Sequence, residues 1–200
     1  MSQIRKICVY CGSGPGRDPA FAAAARKLGL AMAKNGIGLV YGGGSVGLMG
    51  ELATTVLDNG GEVTGIIPEF LANREHQIHR GNVIRTRDMH ERKQLMFDHA
   101  DAFVALPGGV GTLEDVVEQM TWVQLGRHKK PVLLANIKAF WEPLRALLAH
   151  MEELDFIRPG LQVDYLVADR IEDVLPMLME AAAQIGEAQK TMAPEVAGRL

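Results

Sequence analysis

The chain has 200 residues, 48% apolar and 22% charged, which suits a single folded domain with a sizeable core and excludes a disordered or fibrous chain. Its 21 basic and 24 acidic side chains leave a net charge of −3, so bulk charge gives no reason to expect nucleic acid or a membrane as a partner. Two cysteines cannot make a disulfide framework, no stretch reaches the roughly 18 apolar residues of a spanning helix, and the opening MSQIRKICVYCGSG lacks a signal pattern, so a cytoplasmic protein is expected.

In chain order, Ile4 to Cys11 reads as a first strand, closed by the glycine-rich loop Gly12-Ser13-Gly14-Pro15-Gly16. Such a loop at a strand's end suits close approach by a ligand. Asp18 is placed to cap a helix that begins at Pro19 and stops at Gly36. Gly38 to Tyr41 is the next strand, and Gly42-Gly43-Gly44 opens a second glycine loop leading into a helix that ends near Asn59. Gly42, Gly44 and Gly47 match the G-x-G-x-x-G spacing of dinucleotide sites. That reading also wants an acid closing the next strand, Glu62 to Ile67, and the candidate Glu69 stands behind Pro68. A mononucleotide or phosphate therefore fits better than NAD.

Phe70 to Gly81 reads as a polar loop, followed by a short strand, Asn82 to Arg85. Asp88 is expected to cap a helix from Met89 to Ala100, with Glu91 completing a capping-box-like pair. Met89, Leu95, Met96 and His99 mark its core stripe, and Arg92 lies on or beside that stripe, where a guanidinium needs a partner or a route to solvent. The apolar run Ala102 to Leu106 then feeds PGGVGTLEDVVEQMTW, a strand, glycine loop and helix in direct succession. Gly108, Gly109 and Gly111 free the backbone, and Thr112 is expected to cap the helix, with Glu114 and Asp115 in its first turn. Free N–H groups and the helix dipole make this a phosphate site. Glu114 and Asp115 have two readings: helix-capping acids, or carboxylates beside a bound anion that stabilise positive charge at an anomeric carbon.

Strands at Pro131 to Ala135 and Tyr165 to Ala168 and helices at Trp141 to Leu154 and Ile171 to Ile185 complete the pattern, with a polar tail from Gly186. About seven strands alternate with helices, most of them continuous apolar runs. This predicts an α/β, Rossmann-like doubly wound, mostly parallel sheet with helices on both faces, one domain over residues 1–185, and the three glycine loops together at the sheet's carboxyl edge. Cys8 and Cys11 lie three apart on a strand and point to opposite faces, which disfavours a shared metal. His76 and His79 sit in a loop without a third ligand at fixed spacing, so no metal is expected. Trp122 suits the core or a subunit interface, and apolar and aromatic residues around Trp122 and Trp141 permit a dimer.

These landmarks together resemble the LONELY GUY family of cytokinin riboside 5′-monophosphate phosphoribohydrolases. PGGVGT-LED is similar to the family signature PGGxGTxxE, and CVYCGSGPG, LVYGGGSVGLMG, GGEVTGIIP, MHERK and TWVQLGRHKKPV follow in order over Ile4 to Val174. The resemblance implies a Rossmann-like homodimer, without cofactor, that cleaves the N-glycosidic bond of a nucleoside 5′-monophosphate. It implies Arg92 as catalytic arginine and the signature's last position as catalytic carboxylate. Gly108, Gly109, Gly111 and Thr112 would hold the 5′-phosphate, the loops carrying Gly12, Ser13, Gly43 and Gly44 would line the substrate, and Glu75, Lys93 and Thr121 would contact it. The last signature position is usually Glu; here it is Asp115, one methylene and about 1.5 Å shorter in reach, with Glu114 adjacent to share the role. The loop between Glu75 and Met89 is about one residue shorter than the family pattern implies. The same glycine loops would also serve a nucleotide carrier or sensor that does not hydrolyse, in which Asp115 is only a cap.

Overall fold

The computed structural model describes residues 4–72, 78, 80–158 and 160–196. Seven strands form one sheet: β1 (Lys6–Tyr10), β2 (Gly38–Tyr41), β3 (Val63–Pro68), β4 (Asn82–Thr86), β5 (Ala102–Ala105), β6 (Val132–Ala135) and β7 (Leu166–Ala168). Their order is β4-β3-β2-β1-β5-β6-β7, and every pairing is parallel. The core strands are buried on both faces, which is why they are continuous apolar runs.

Helices α1 (Pro19–Lys34), α2 (Gly47–Asp58), α3 (Glu69–Ala72), α4 (Met89–Asp98), α5 (Val110–Gln124), α6 (Glu142–Glu153) and α7 (Val174–Val196) connect the strands. Two separate apolar clusters form the core. One joins the sheet to α1, α2 and α7 and contains Cys11; the other joins it to α4, α5 and α6 and contains Cys8. The two cysteines thus lie on opposite faces, as their spacing requires. Burial pushes both thiols up, Cys11 to about 12, so neither is a thiolate at neutral pH.

The sequence places most elements correctly. Asp18 caps α1 by accepting from Ala20 N–H at 2.8 Å. Asp88 caps α4 by accepting from Glu91 N–H at 2.9 Å, but Glu91 reaches back to Arg87 N–H rather than to the cap itself. α4 buries only Met96; Met89, Leu95 and His99 are half-buried. The last helix continues through Gly186 to Val196, beyond the end expected for it. Trp141 is buried, its indole N–H donating to the Ala105 carbonyl at 3.1 Å, so it serves the core and not an interface. Among the described residues no helix is long and apolar enough to cross a membrane.

The chain adds strands in one direction from β1 to β4, then returns to the other side of β1 to begin β5. The reversal lies between β1 and β5, where sheets of this kind form a ligand crevice at their carboxyl ends. The loops after β2, β1 and β5, side by side there, are the three glycine loops. Gly47 welds two of them together. Its φ is +61°, and a Cβ on it would lie 2.1 Å from the Ser13 carbonyl oxygen, which is backbone and cannot swing aside. Gly47→Ala is therefore expected to lower the unfolding free energy by about 2 kcal/mol or more, measured by urea denaturation.

Candidate functional site

The loops after β1 and β5 are packed backbone to backbone. Gly12 N–H donates to the Pro107 carbonyl at 3.1 Å. A Cβ on Gly12 would lie 3.3 Å from the Gly108 Cα, and one on Gly108 would lie 2.9 Å from the Gly12 nitrogen and 2.1 Å from the Thr112 hydroxyl oxygen. Gly12 and Gly108 are glycines because of this close approach. Gly109 and Gly111 differ: a Cβ there meets no described atom within 4 Å. They leave open the approach to the start of α5. A pocket of about 330 Å³ lies against the two loops, walled by Ser13, Gly109, Phe21, Leu48 and Phe140 among others.

The helix start departs from expectation. The N-cap of α5 is Gly109, not Thr112, and α5 has no acid in its first turn. Thr112 is buried within that turn, its hydroxyl against Gly108. The first intrahelical bond runs from Leu113 N–H to the Gly109 carbonyl at 3.0 Å, leaving the N–H groups of Val110, Gly111 and Thr112 ahead of the ladder. Glu114 and Asp115 stand one turn further in, so the capping explanation for them is removed. The contrast with α2 is informative. There the N–H groups of Leu48 and Met49 donate to the Gly12 carbonyl at 3.0 and 3.4 Å, so the helix start behind the G-x-G-x-x-G spacing is capped by the neighbouring loop. Gly43 turns toward β3, packing on Ile67, and its carbonyl accepts from Ile78 N–H at 3.1 Å. Gly44 is buried beside it. The second glycine loop packs inward, whereas the start of α5 is left open among the described residues.

Arg92 extends from α4 over the carboxyl ends of β2 and β3. Its Nε donates to the Ile66 carbonyl at 3.3 Å, and its Nη1 lies 3.8 Å from the Met89 sulfur. The guanidinium lies directly over Gly42, where a Cβ would fall 2.6 Å from Nη2. Across the seam, Asp115 on α5 is only 8% exposed, and among the described residues its carboxylate accepts no hydrogen bond. Burial raises its pKa to about 6. The Arg92 charge opposes the rise, as does Lys93, while Glu114 and Glu118 add to it. A carboxylate held this way is a common mark of a functional group.

Lys93 and Glu114 meet each other instead. The Lys93 ammonium pairs closely with Glu114 and lies 3.5 Å from Glu118. Thr121 donates to the Val117 carbonyl at 2.8 Å and lines an apolar groove between α5 and α6, away from Arg92. Ser13 is exposed at the mouth of the β1 loop. Glu69 is exposed and lies 3.8 Å from Arg85, clear of the crevice. Glu75, His76 and His79 fall outside the described residues. Sequence reading missed three participants. Gly42 makes room for Arg92, Tyr10 lies buried within the field of Asp115 and Glu118, and Glu118 flanks Lys93. Only the spacing of Glu114 and Glu118, four apart on one helix face, signalled the last of these.

Among the described residues, backbone N–H groups left free by the helical ladder thus stand one helical turn from a buried carboxylate on which the Arg92 charge acts. This arrangement can hold an anionic group and place a negative charge beside an electron-poor carbon.

The chain is also similar to known proteins. Residues 49–178 match a family model described as "Possible lysine decarboxylase". The chain is 43% identical over 182 residues to a cytokinin riboside 5′-monophosphate phosphoribohydrolase of Arabidopsis thaliana, covering 90% of this chain and 85% of that one. It is 41% identical over 173 residues to the enzyme of the same name from Rhodococcoides fascians, covering 86% and 87%. Among solved structures, the molybdenum cofactor binding protein of the phototrophic bacterium Rippkaea orientalis superposes with a TM-score of 0.66 at 23% identity, over 89% of this chain and 97% of that one, a likeness of fold.

Gly42→Ala tests the seat of Arg92. The atom its Cβ meets is the end of a flexible side chain, so the melting temperature should stay within a few degrees while the guanidinium is displaced. A misplacement of about 1 Å should cost the site's reaction on the order of 10²-fold.

Proposed function

The chain belongs to the LONELY GUY family of cytokinin riboside 5′-monophosphate phosphoribohydrolases, and we propose that it hydrolyses the N-glycosidic bond of adenine nucleoside 5′-monophosphates, N6-modified ones included. The products are the free base and ribose 5-phosphate. The observation that carries this reading is the buried Asp115 carboxylate, with its raised pKa, beside Arg92 and one turn from the open start of α5.

In this reading the 5′-phosphate binds the first-turn N–H groups of α5, with Gly108, Gly109, Gly111 and Thr112 shaping the cradle and Gly12 and Ser13 closing it. Gly43 and Gly44 support the floor. The phosphate anchors the ribose so that C1′ faces Asp115. As the C1′–N bond breaks, its electron pair leaves with the base and positive charge develops on the ribose. The Asp115 carboxylate stabilises that charge and accepts a proton from the water that attacks C1′; the proton passes to the departing base, which leaves neutral. Arg92 orients the carboxylate and the ribose. Asp115 must be ionised, and a pKa of about 6 leaves it mostly so at neutral pH. A lysine decarboxylase would need a lysine free to form a Schiff base. The lysine nearest this site, Lys93, is held charged between two carboxylates.

The protein acts as a homodimer in this reading. The groove of about 410 Å³ between α5 and α6 is apolar, and Val110, at 82% exposure, leaves its rim bare next to the phosphate loop. A second copy seated there covers Val110, Val117 and Leu147 and brings Thr121 into a shared boundary. Light scattering should return twice the 21.8 kDa of one chain; a monomer at micromolar concentration would count against it.

The decisive assay separates base from nucleotide by chromatography. AMP and N6-substituted AMP should yield free base and ribose 5-phosphate, the matching ribosides should not, and Arg92→Ala should lower turnover by at least about 10²-fold. Saturable AMP binding without any base release would instead identify a nucleotide carrier.

A further inference from the structure

Lys93, Glu114 and Glu118 form a charged seam between α4 and α5 whose placement suggests a task other than touching substrate. Glu114 and Glu118 are four residues apart, so they share one face of α5, and Asp115 lies beside both. One ammonium serves the two glutamates: Lys93 pairs closely with Glu114 and lies 3.5 Å from Glu118. Its side chain is 14% exposed, whereas that of Glu114 is 53% exposed, so the lysine is the buried member and the glutamate closes over it. Glu118 contributes a second sign of constraint, since its Oε2 is buried without a hydrogen-bond partner among the described residues.

We infer that Lys93, Glu114 and Glu118 are positioning residues of the phosphoribohydrolase site: Lys93 bridges two carboxylates to lock α4 against α5, and the three charges together set how readily Asp115 ionises opposite Arg92. This inference rests on the hydrolytic reading above and deepens it. It moves Lys93 away from substrate contact and Glu114 away from a share in the chemistry.

Among the described residues, the groups acting on Asp115 can be named from each element packed against it. α4 supplies the cations Arg92 and Lys93, α5 the anions Glu114 and Glu118, and β1 the buried Cys8 and Tyr10, both neutral. Counted as charges, Arg92 and Lys93 face Asp115, Glu114 and Glu118, one negative charge in excess. Burial alone would push Lys93 toward deprotonation, but Glu114 and Glu118 more than reverse this and keep it charged. Removing a glutamate therefore eases ionisation of Asp115, both by deleting a like charge and by freeing more of the Lys93 charge to act on it. Removing the lysine does the opposite.

The test follows the Asp115 carboxyl carbon by ¹³C NMR titration, alongside the pH profile of kcat/KM for base release, in wild type, Glu118→Gln, Lys93→Met and Lys93→Arg. Glu118→Gln should move the Asp115 titration and the acid limb to lower pH, and Lys93→Met should move both to higher pH, each by roughly half to one unit. Lys93→Arg, which keeps the charge, should restore the wild-type position. A purely structural role would alter amplitude or stability without opposite displacements. If Asp115 titrates at the same pH in Glu118→Gln and Lys93→Met, the inference is overturned. If the opposite displacements occur in the NMR titration but no variant, wild type included, releases base, the inference about Asp115 stands and the hydrolytic reading fails.

Discussion

A carboxylate removed from water beside a fixed guanidinium is the constraint around which this molecule is arranged. Asp115 is nearly buried and accepts no hydrogen bond among the described residues, so its charge must be balanced through space. The charges around it come from two helices, Arg92 and Lys93 from α4 and Glu114 and Glu118 from α5. The arrangement also reaches into the sheet. Arg92 is held by the Ile66 carbonyl and lies over Gly42, so the ends of β2 and β3 have a part in seating it.

The three glycine loops do three different things at one sheet edge. The loop after β5 leaves the start of α5 open, with clear space at Gly109 and Gly111. The loop after β1 turns its Gly12 carbonyl onto the first N–H groups of α2 and its Gly12 N–H onto Pro107, joining its neighbours on either side. The loop after β2 packs inward on Ile67 and clears a path for the Arg92 guanidinium. Similar glycine spacing thus serves an open helix start, a backbone clamp and a side-chain corridor. Which loop does which is decided by what caps the helix that follows.

Much of this was legible in the sequence because periodicity and punctuation act locally. Asp18-Pro19 announced α1, apolar runs announced buried parallel strands, and the order of glycine loops announced a crowded carboxyl edge. Arg92 stood out because a charge on a half-apolar helix face needs a partner. What could not be read were contacts between distant segments. Thr112 looked like a cap because its spacing to Asp115 imitates a capping box, yet the helix starts earlier, at the Gly109 cap, where the backbone geometry of the loop dictates. Lys93 was expected to contact substrate and Glu114 to cap the helix or share the catalytic role, and nothing in the chain says that they meet each other across 21 positions. Trp141 looked available for an interface until the Ala105 carbonyl was found to hold its indole inside the core.

The central claim is that the shorter carboxylate of Asp115 performs the glycosidic chemistry that the family signature gives to a glutamate. The most direct measurement is AMP binding and AMP turnover in Asp115→Asn, a change that keeps shape and removes only the charge. The account predicts that AMP still binds at the phosphate loop within a few-fold of wild type while base release falls by on the order of 10²-fold or more. Base release at the wild-type rate in Asp115→Asn would contradict it.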